Sequence, residues 1–533
     1  MACFSKIINN KKILLCFLAF LVLISGIAIV FHFPTGIIFF DTYDYIEGIF
    51  WAEATLRAGA LTSPEYVYYY IVPFGSNIIM APLVYLLGPG LLANQLGMLV
   101  YLAVFLAVLI RFARLVYSDH EDRLAFCALF CMFFYTYIGD NLLHHLLSYG
   151  IGLVCLLGEL SCIMELRRNR NRKRNLALLA VFCLWSAANG VAAMALSTVP
   201  VLAAWIYSDY RCRRLFNREN MRSYLPAAAA TTVGFLIYKM VDAQTISLHM
   251  YDDRFILADA GRLIEHLLFD LPENYLRLFY YNPVEEISAF SPSGILRLCR
   301  LMFALCILIL PFRMRRRIFM DSSLPDISEA DRHLVLMANM MNVLIAVSQC
   351  VLFTTSAERY LFIGTISMFF FTAVGLLDVM KKEKENMILI LVICLALLFS
   401  AKLAGDIRVG EQRKASLENA CRALDEEGLP YGYVIGRYYK VLELVSHGEN
   451  RNTSIIFDED KEKFYIEYDR IYLEELEKPE DLARFYVLRE GEYDAEDPEN
   501  MLLETVCRDK MTVDQFTIYI FDIADWDKLF VKL

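Results

Sequence analysis

Apolar runs follow one another near 13–33, 91–110, 124–139, 146–165, 176–189, 190–207, 224–240, 295–312, 333–353, 360–379 and 387–403. That succession leaves few options for the fold, because each run approaches the ~20 residues a helix needs to cross a bilayer. With 57% hydrophobic residues and a mean hydropathy of +0.43, the chain is too apolar for a soluble enzyme of 533 residues. The expected fold is an α-helical polytopic membrane protein of about 11 spans. The least secure pair lies in 176–207, where Asn189-Gly190 breaks the run. Reading it as a hairpin keeps the later loops in phase.

The net charge of −10 resolves into two populations, with acids concentrated after Gly405 and bases in short runs between apolar segments. With the N-terminus inside, Arg111/Arg114, Arg167 to Arg174, Arg211/Arg213/Arg214, Arg313 to Arg317 and Lys381/Lys382/Lys384 all fall on the cytoplasmic side. These runs serve as topology determinants and contacts to anionic membrane lipids, and no nucleic-acid partner is expected. Lys6, Lys11 and Lys12 precede a first run with no small-residue cleavage site, the pattern of a retained signal anchor. The 14 cysteines form no CxxC pair and read as small core residues.

This count places outside the loop opening at Asp41, the Asp140 to His145 turn, the Val241 to Gly294 loop, the Thr354 to Arg359 turn and everything after Ala404. In the first loop, Tyr45, Ile49, Ala52 and Leu56 share a helical stripe suited to the membrane interface, and Gly59 ends the helix. The run Tyr66, Tyr68, Tyr69, Tyr70, with breaks at Pro73 and Pro82, returns the chain to the bilayer surface. Asp41 and Asp44 lie three apart and would share a helix face. A carboxylate there can act as a general base; equally, Asp41 can be an N-cap with Asp44 facing the helix dipole.

Asp140 and His144 share a face at a helix end, where His144 and His145 could bind a phosphate or a metal or simply keep one nitrogen wet at the interface. Arg359, on the outer side against the positive-inside trend, reads either as a fork for an anionic headgroup or as the partner of Glu358. Arg254 and Arg262 carry a weaker version of that ambiguity. Glu159 and Lys239 are the ionisable residues within spans, and both are read as close enough to an end to snorkel. In the long loop, Ala260 to Leu268 and Tyr275 to Tyr281 are amphipathic, punctuated by Pro272, Pro283 and Pro292, and suggest a lid of short helices.

After Gly405 the composition becomes that of a soluble α/β domain. A helix is expected over Gln412 to Glu427 and strands over Tyr431 to Ile435, Ser454 to Phe457, Phe485 to Leu488 and Phe516 to Phe521. Helical patterns at Arg437 to Ser446 and Tyr472 to Glu477 alternate with them, and Asn452-Thr453-Ser454 matches a glycosylation acceptor.

A signal anchor, a loop opening with Asp41 four residues before Tyr45, a helix ending in Ala58-Gly59 and the re-entry Ile78-Ile79-Met80-Ala81-Pro82-Leu83 together resemble the C-superfamily (GT-C) glycosyltransferases. That superfamily includes protein O-mannosyltransferases and aminoarabinose lipid A transferases. Arg359-Tyr360 before a late span is also similar to theirs, as is Gly432-Tyr433 leading into a strand of an outer domain. Threonine follows Asp41 where the commonest first-loop motif has an Asp-Glu pair, the second acid arriving as Asp44.

The resemblance implies a GT-C-like membrane domain over 1–404 with outer loops 34–90 and 241–294, and a small extracytoplasmic α/β domain over 405–533. It further implies sugar transfer from a polyprenyl-phosphate donor to a lipid, glycan or protein acceptor on the outer face of the plasma membrane. Asp41 would be the catalytic acid of the loop, and Asp44 would assist or hold a divalent cation. Tyr45, His144, His145 and Arg359 would bind substrate. The rival expectation is a non-catalytic carrier or scaffold for lipid-linked sugars or wall polymers, which should place ionisable residues in mid-span.

Overall fold

The computed structural model describes residues 10–33, 43–68, 72–144, 148–215, 218–247, 256–281, 287–319, 324, 326–354, 356–382, 385–435, 440–467, 471–476, 478–479, 481–491 and 497–531. Among the described residues nine helices are long and apolar enough to cross a membrane, and a bent pair makes ten if it counts as one span. The chain is a multi-pass membrane protein with a strand-containing C-terminal domain.

Every expected apolar run is helical, and the difference from about 11 spans lies in two places. The run at 176–189 belongs to Arg172–Ala188, 17 residues that open with Arg172, Lys173 and Arg174. At 1.5 Å per residue its 17 residues reach about 26 Å, the short end of what a crossing helix uses. The run at 124–139 breaks into His120–Tyr135 and Tyr137–Leu143, bent by 93°. At the bend Thr136 folds back, its Oγ1 donating to the Phe133 carbonyl at 2.6 Å. Gly139 permits the close return, because a Cβ there would lie 2.3 Å from the Phe134 Cα.

Packing divides the chain into two units, Met1–Val30 with Leu99–Met240 and Met250–Ala404, and Phe31–Met98 with Val241–His249 and Gly405–Leu533. The first is a helical bundle around phenylalanines packed edge-on, among them Phe112, Phe126, Phe133, Phe369 and Phe370. Offset and edge-on ring pairs of this kind add to the burial that holds helices together where lipid offers no hydrophobic contrast.

Two groups in this bundle correct the sequence expectations. Arg167 is not a solvated inner-loop cation. It is buried, donating to Asp209 Oδ1 at 2.6 Å, Ser208 Oγ at 2.5 Å and Asp331 Oδ1 at 3.2 Å, while the Tyr224 hydroxyl donates to Asp209 Oδ2. Arg111 likewise donates to Glu165 and Asn175. Charges paired so closely are not offered to lipid headgroups, whereas Arg170, Lys173 and Arg174 of the same stretch are exposed.

Glu159, expected to snorkel, lies in the middle of Ser148–Arg167 with 0% of its surface exposed. Its Oε1 accepts from Thr198 Oγ1 at 2.6 Å, where the next span is broken between Val191–Leu196 and Thr198–Arg211. A side chain held at that depth cannot reach an interface. Lys239, in the last turn of Arg218–Asp242, is exposed as expected.

In the second unit six strands lie in the order Lys463–Ile466, Arg451–Asp458, Tyr431–Ile435, Arg484–Glu490, Phe516–Asp522, Asp509–Val513. Tyr431–Ile435 runs parallel to both neighbours; the outer pairings are antiparallel. The four expected strands are all present, with aromatic and β-branched residues filling a core of Tyr433, Phe485, Val487, Tyr519, Phe521, Trp526 and Phe530. Of the expected helices, Arg437 to Ser446 contains Val441–Val445, and Tyr472 to Glu477 is a strand end followed by the 3-10 turn Leu473–Leu476. The expected helix at Gln412 is part of Glu385–Glu426, 42 residues without interruption at Gly405. At 1.5 Å per residue that is about 63 Å, twice the hydrocarbon thickness. Asn452 is buried and its Oδ1 accepts from the Lys440 N–H at 2.7 Å, so the folded chain offers no glycan acceptor there.

A small second sheet brings three distant stretches together. Tyr66–Tyr68 is its centre, parallel to Ile246–Ser247 and antiparallel to Ile471–Tyr472. The first loop is thereby hydrogen-bonded into the C-terminal domain.

The orientation of the bundle has a direct test. In an intact cell, an impermeant thiol reagent should label Ala60→Cys and leave Lys173→Cys unlabelled until the membrane is opened, both positions being exposed in the structure. The reverse pattern would invert the topology.

Candidate functional site

The first-loop helix spans Tyr43–Ala58 and ends where Gly59, at φ 61°, turns its N–H back to the Leu56 carbonyl at 3.3 Å. Asp41 lies outside the described residues, as do the side chains of Asp44 and Tyr45, whose backbones form the first turn of this helix. Of the stripe expected at the membrane interface, the middle is covered by protein while Leu56 stays exposed. Ile49 and Ala52 are fully buried, and the helix packs against Asn77–Leu87, with Gly48 so close that a Cβ would lie 2.8 Å from Ser76. Pro82 does not break the chain but sits inside that second helix.

The tyrosines also turn inward. Tyr66 and Tyr68 are buried in the central strand of the small sheet, Tyr68 edge-on to Trp51 at 5.9 Å, while Tyr69 and Tyr70 lie outside the described residues. The Tyr68 oxygen accepts from the Ser63 N–H at 2.8 Å, and burial, outweighing that bond, pushes its hydroxyl up to about 12. It is therefore a fixed hydrogen-bonding group rather than a proton carrier at neutral pH.

The other expected site residues belong to the helical bundle. Arg359 sits in a 3-10 turn, Glu358–Leu361, at the head of Phe362–Lys382, with its guanidinium 5.8 Å from the Tyr360 ring centre. Ahead of this turn, the segment 352–354 pairs with 256–258, Ala258 N–H donating to Leu352 O and Thr354 N–H to Ile256 O, both at 2.9 Å. The expected lid is one helical segment of Ala260–Glu265, a π turn His266–Asp270 and Leu271–Arg277. Pro272 does not punctuate it, because the wide turn before it accommodates a residue without an N–H. Asn274 in this segment donates to Ser356 Oγ at 2.9 Å, and His266 places Nδ1 3.3 Å from Val351 O and Nε2 3.5 Å from Asp270. Arg262 lies in the same segment; Arg254 is outside the described residues.

The helix ending in His144, Tyr137–His144, starts from the same lid, the Tyr137 N–H donating to Leu278 O at 2.9 Å. Tyr137 stands edge-on to Tyr280 at 6.1 Å and to Phe362 at 5.7 Å, and Tyr149 faces Phe362 at 5.3 Å. The Arg359 turn and the His144 helix are thus neighbours across Phe362. The His144 side chain and all of His145 lie outside the described residues. Two arginines not foreseen join this place: Arg300 donates to Tyr280 O at 3.4 Å and stacks on its ring at 4.9 Å, and Arg297 stacks on Tyr281 at 4.7 Å. The sequence signal for them is the i, i+3 pair opening a span after Tyr280-Tyr281. Tyr280 itself adopts φ 55°, a costly conformation for a bulky side chain. Among the described residues no three His, Cys, Asp or Glu side chains gather closely enough to hold a metal ion.

A cationic, aromatic-lined turn at the end of an apolar helix bundle can hold an anionic headgroup whose tail stays in lipid. No family model matches the chain, and no curated protein matches it. Two solved structures are similar to it. One is the crystal structure of ArnT from Cupriavidus metallidurans in the apo state, with 11% identity and a TM-score of 0.47 over 95% of this chain and 97% of that one. The other is ArnT from the same organism bound to undecaprenyl phosphate, with 11% identity and a TM-score of 0.46 over 96% and 98% of the two chains.

Proposed function

We propose that the chain is a GT-C-type glycosyltransferase of the plasma membrane, moving a sugar from a polyprenyl-phosphate donor to a lipid, glycan or protein acceptor on the outer face. The observation that carries this reading is the Arg359 turn, seated beside the long-loop helix and next to the helix that ends in His144. Arg359 binds the donor phosphate, with His144 and His145 completing that end. Asp41 takes the proton of the acceptor hydroxyl as the new glycosidic bond forms and the phosphate leaves, with Asp44 and Tyr45 in support.

Membranes supplied with a radiolabelled polyprenyl-phosphate sugar test the reading. Arg359→Lys keeps the charge but loses the two-pronged fork, so the apparent donor constant should rise by more than the roughly fivefold that an exposed ion pair of ~1 kcal/mol would account for. Acceptor dependence should change little. Unchanged donor dependence in both Arg359→Lys and Arg359→Ala would return Arg359 to a structural role.

One observation favours the rival reading of a carrier or scaffold: Glu159 is an ionisable residue held in mid-span and fully buried. Its bond to Thr198 also serves as a brace at the break in the neighbouring span. Transfer of label to an acceptor by membranes carrying the protein, and not by membranes without it, separates an enzyme from a carrier.

A further inference from the structure

The C-terminal domain holds a buried lysine in a place where packing alone would favour an apolar residue. Lys440 Nζ lies 3.1 Å from Glu443 Oε2 and 3.2 Å from Glu475 Oε2, and all three side chains are less than a tenth exposed. Its backbone is at φ 59°, and its N–H is fastened to Asn452 Oδ1. A non-glycine residue in the left-handed region, anchored by a buried side-chain bond, is held there by its surroundings rather than by local preference.

The ammonium also faces the first loop. It lies 5.4 Å from the ring centre of Phe50, on the helix Tyr43–Ala58, and one turn further on the same helix Glu53 feels Lys440 as the largest of its neighbouring charges. Arg57, the next turn again, donates to Glu474 at 3.0 Å and stacks on Tyr472 at 4.5 Å. Phe50, Glu53 and Arg57 follow at spacings of three and four, so one face of the helix is spent on this contact. Burial raises the carboxyls of Glu53, Glu443 and Glu475, and Lys440 opposes the rise in each. A single ammonium thus ties two glutamates of the C-terminal domain to the first-loop helix.

We propose that Lys440 is a positioning residue, through which the C-terminal domain holds the first-loop helix Tyr43–Ala58 in register. The bearing of this on chemistry rests on the reading of Asp41, two residues ahead of that helix in sequence, and Asp44, in its first turn, as the acids that act on the acceptor. Strand pairing of Tyr66–Tyr68 with Ile471–Tyr472 fixes the far end of the loop, and the Lys440 cluster fixes the helix.

Hydrogen exchange on the full-length protein in detergent tests the placement without any enzymatic assay. Lys440→Met leaves Glu443 and Glu475 buried without their cation and weakens the domain, so the deciding variant is Lys440→Met with Glu443→Gln and Glu475→Gln, in which neither of the two paired carboxylates is left stranded. In that variant the strands Tyr431–Ile435 and Phe516–Asp522 should keep their protection while amides of 43–58 exchange at least tenfold faster. Equal protection of 43–58 in this variant and in wild type would overturn the proposal, as would loss of the strands together with the helix.

The transfer assay then reads the consequence. A misplaced acid lowers kcat and leaves the donor KM nearly unchanged, the opposite split from Arg359→Lys. A loosened helix with unchanged kcat would keep the positioning role and overturn the catalytic reading of Asp41 and Asp44, so the two failures are distinguishable.

Discussion

Asp41→Asn is expected to lower the rate of sugar transfer by roughly 10²- to 10⁴-fold, the range a positioned general base contributes. The amount of folded protein should stay near wild type. Asparagine caps a helix as well as aspartate does, so the substitution removes the base and spares any capping that Asp41 gives ahead of the helix Tyr43–Ala58. Asp44→Asn should cost less, unless a divalent cation takes part, in which case a chelator should reproduce its effect on the wild type. A drop in folded protein with the surviving molecules fully active would assign Asp41 to capping. That outcome would leave the first-loop helix as a structural element packed on Asn77–Leu87 and would move the search for the base elsewhere.

Arg167→Met is expected to produce the largest loss of stability in the bundle. Arg167 is a cation shared by Asp209 and Asp331, and all three side chains are at least nine-tenths buried. Removing it leaves two carboxylates in a dry site, and breaking such a group typically costs about 3 to 5 kcal/mol. Little protein should survive extraction, and what does should unfold at a clearly lower temperature in detergent. Because the loss comes from the stranded acids rather than from the missing attraction, Arg167→Met combined with Asp209→Asn and Asp331→Asn should recover much of it. No recovery would mean that the guanidinium acts through its bond to Ser208 and its packing. An unchanged midpoint in the single variant would show that water reaches the cluster.

The elements of this protein were legible in the chain because they depend on neighbours in sequence. Apolar runs long enough to cross a bilayer became helices, alternating aromatic and β-branched runs became Tyr431–Ile435, Arg484–Glu490 and Phe516–Asp522, and Gly59 stopped the first-loop helix. The break at Asn189-Gly190 was equally local. Periodicity also identified Ile49 and Ala52 as one face. It could not say what covers that face, and the structure covers it with Asn77–Leu87 instead of lipid. The same limit explains Arg167, Glu159 and Asn452, which read as an inner-loop cation, a snorkelling acid and a glycan acceptor. Their partners Asp209, Thr198 and Lys440 lie on other helices or across a loop.

For the candidate site, a cation before a late span and two histidines after a bend could be read from residue type and position. That Phe362 sits between their two turns, and that Arg297 and Arg300 stack on Tyr281 and Tyr280, came only from the folding of the long loop onto the bundle. The pairing of Tyr66–Tyr68 with Ile471–Tyr472 joins strands some four hundred residues apart. Short-range pattern decides which segments are helix or strand; which distant segments satisfy each other's hydrogen bonds and buried charges is decided only when the chain closes, because those partners have no local signature.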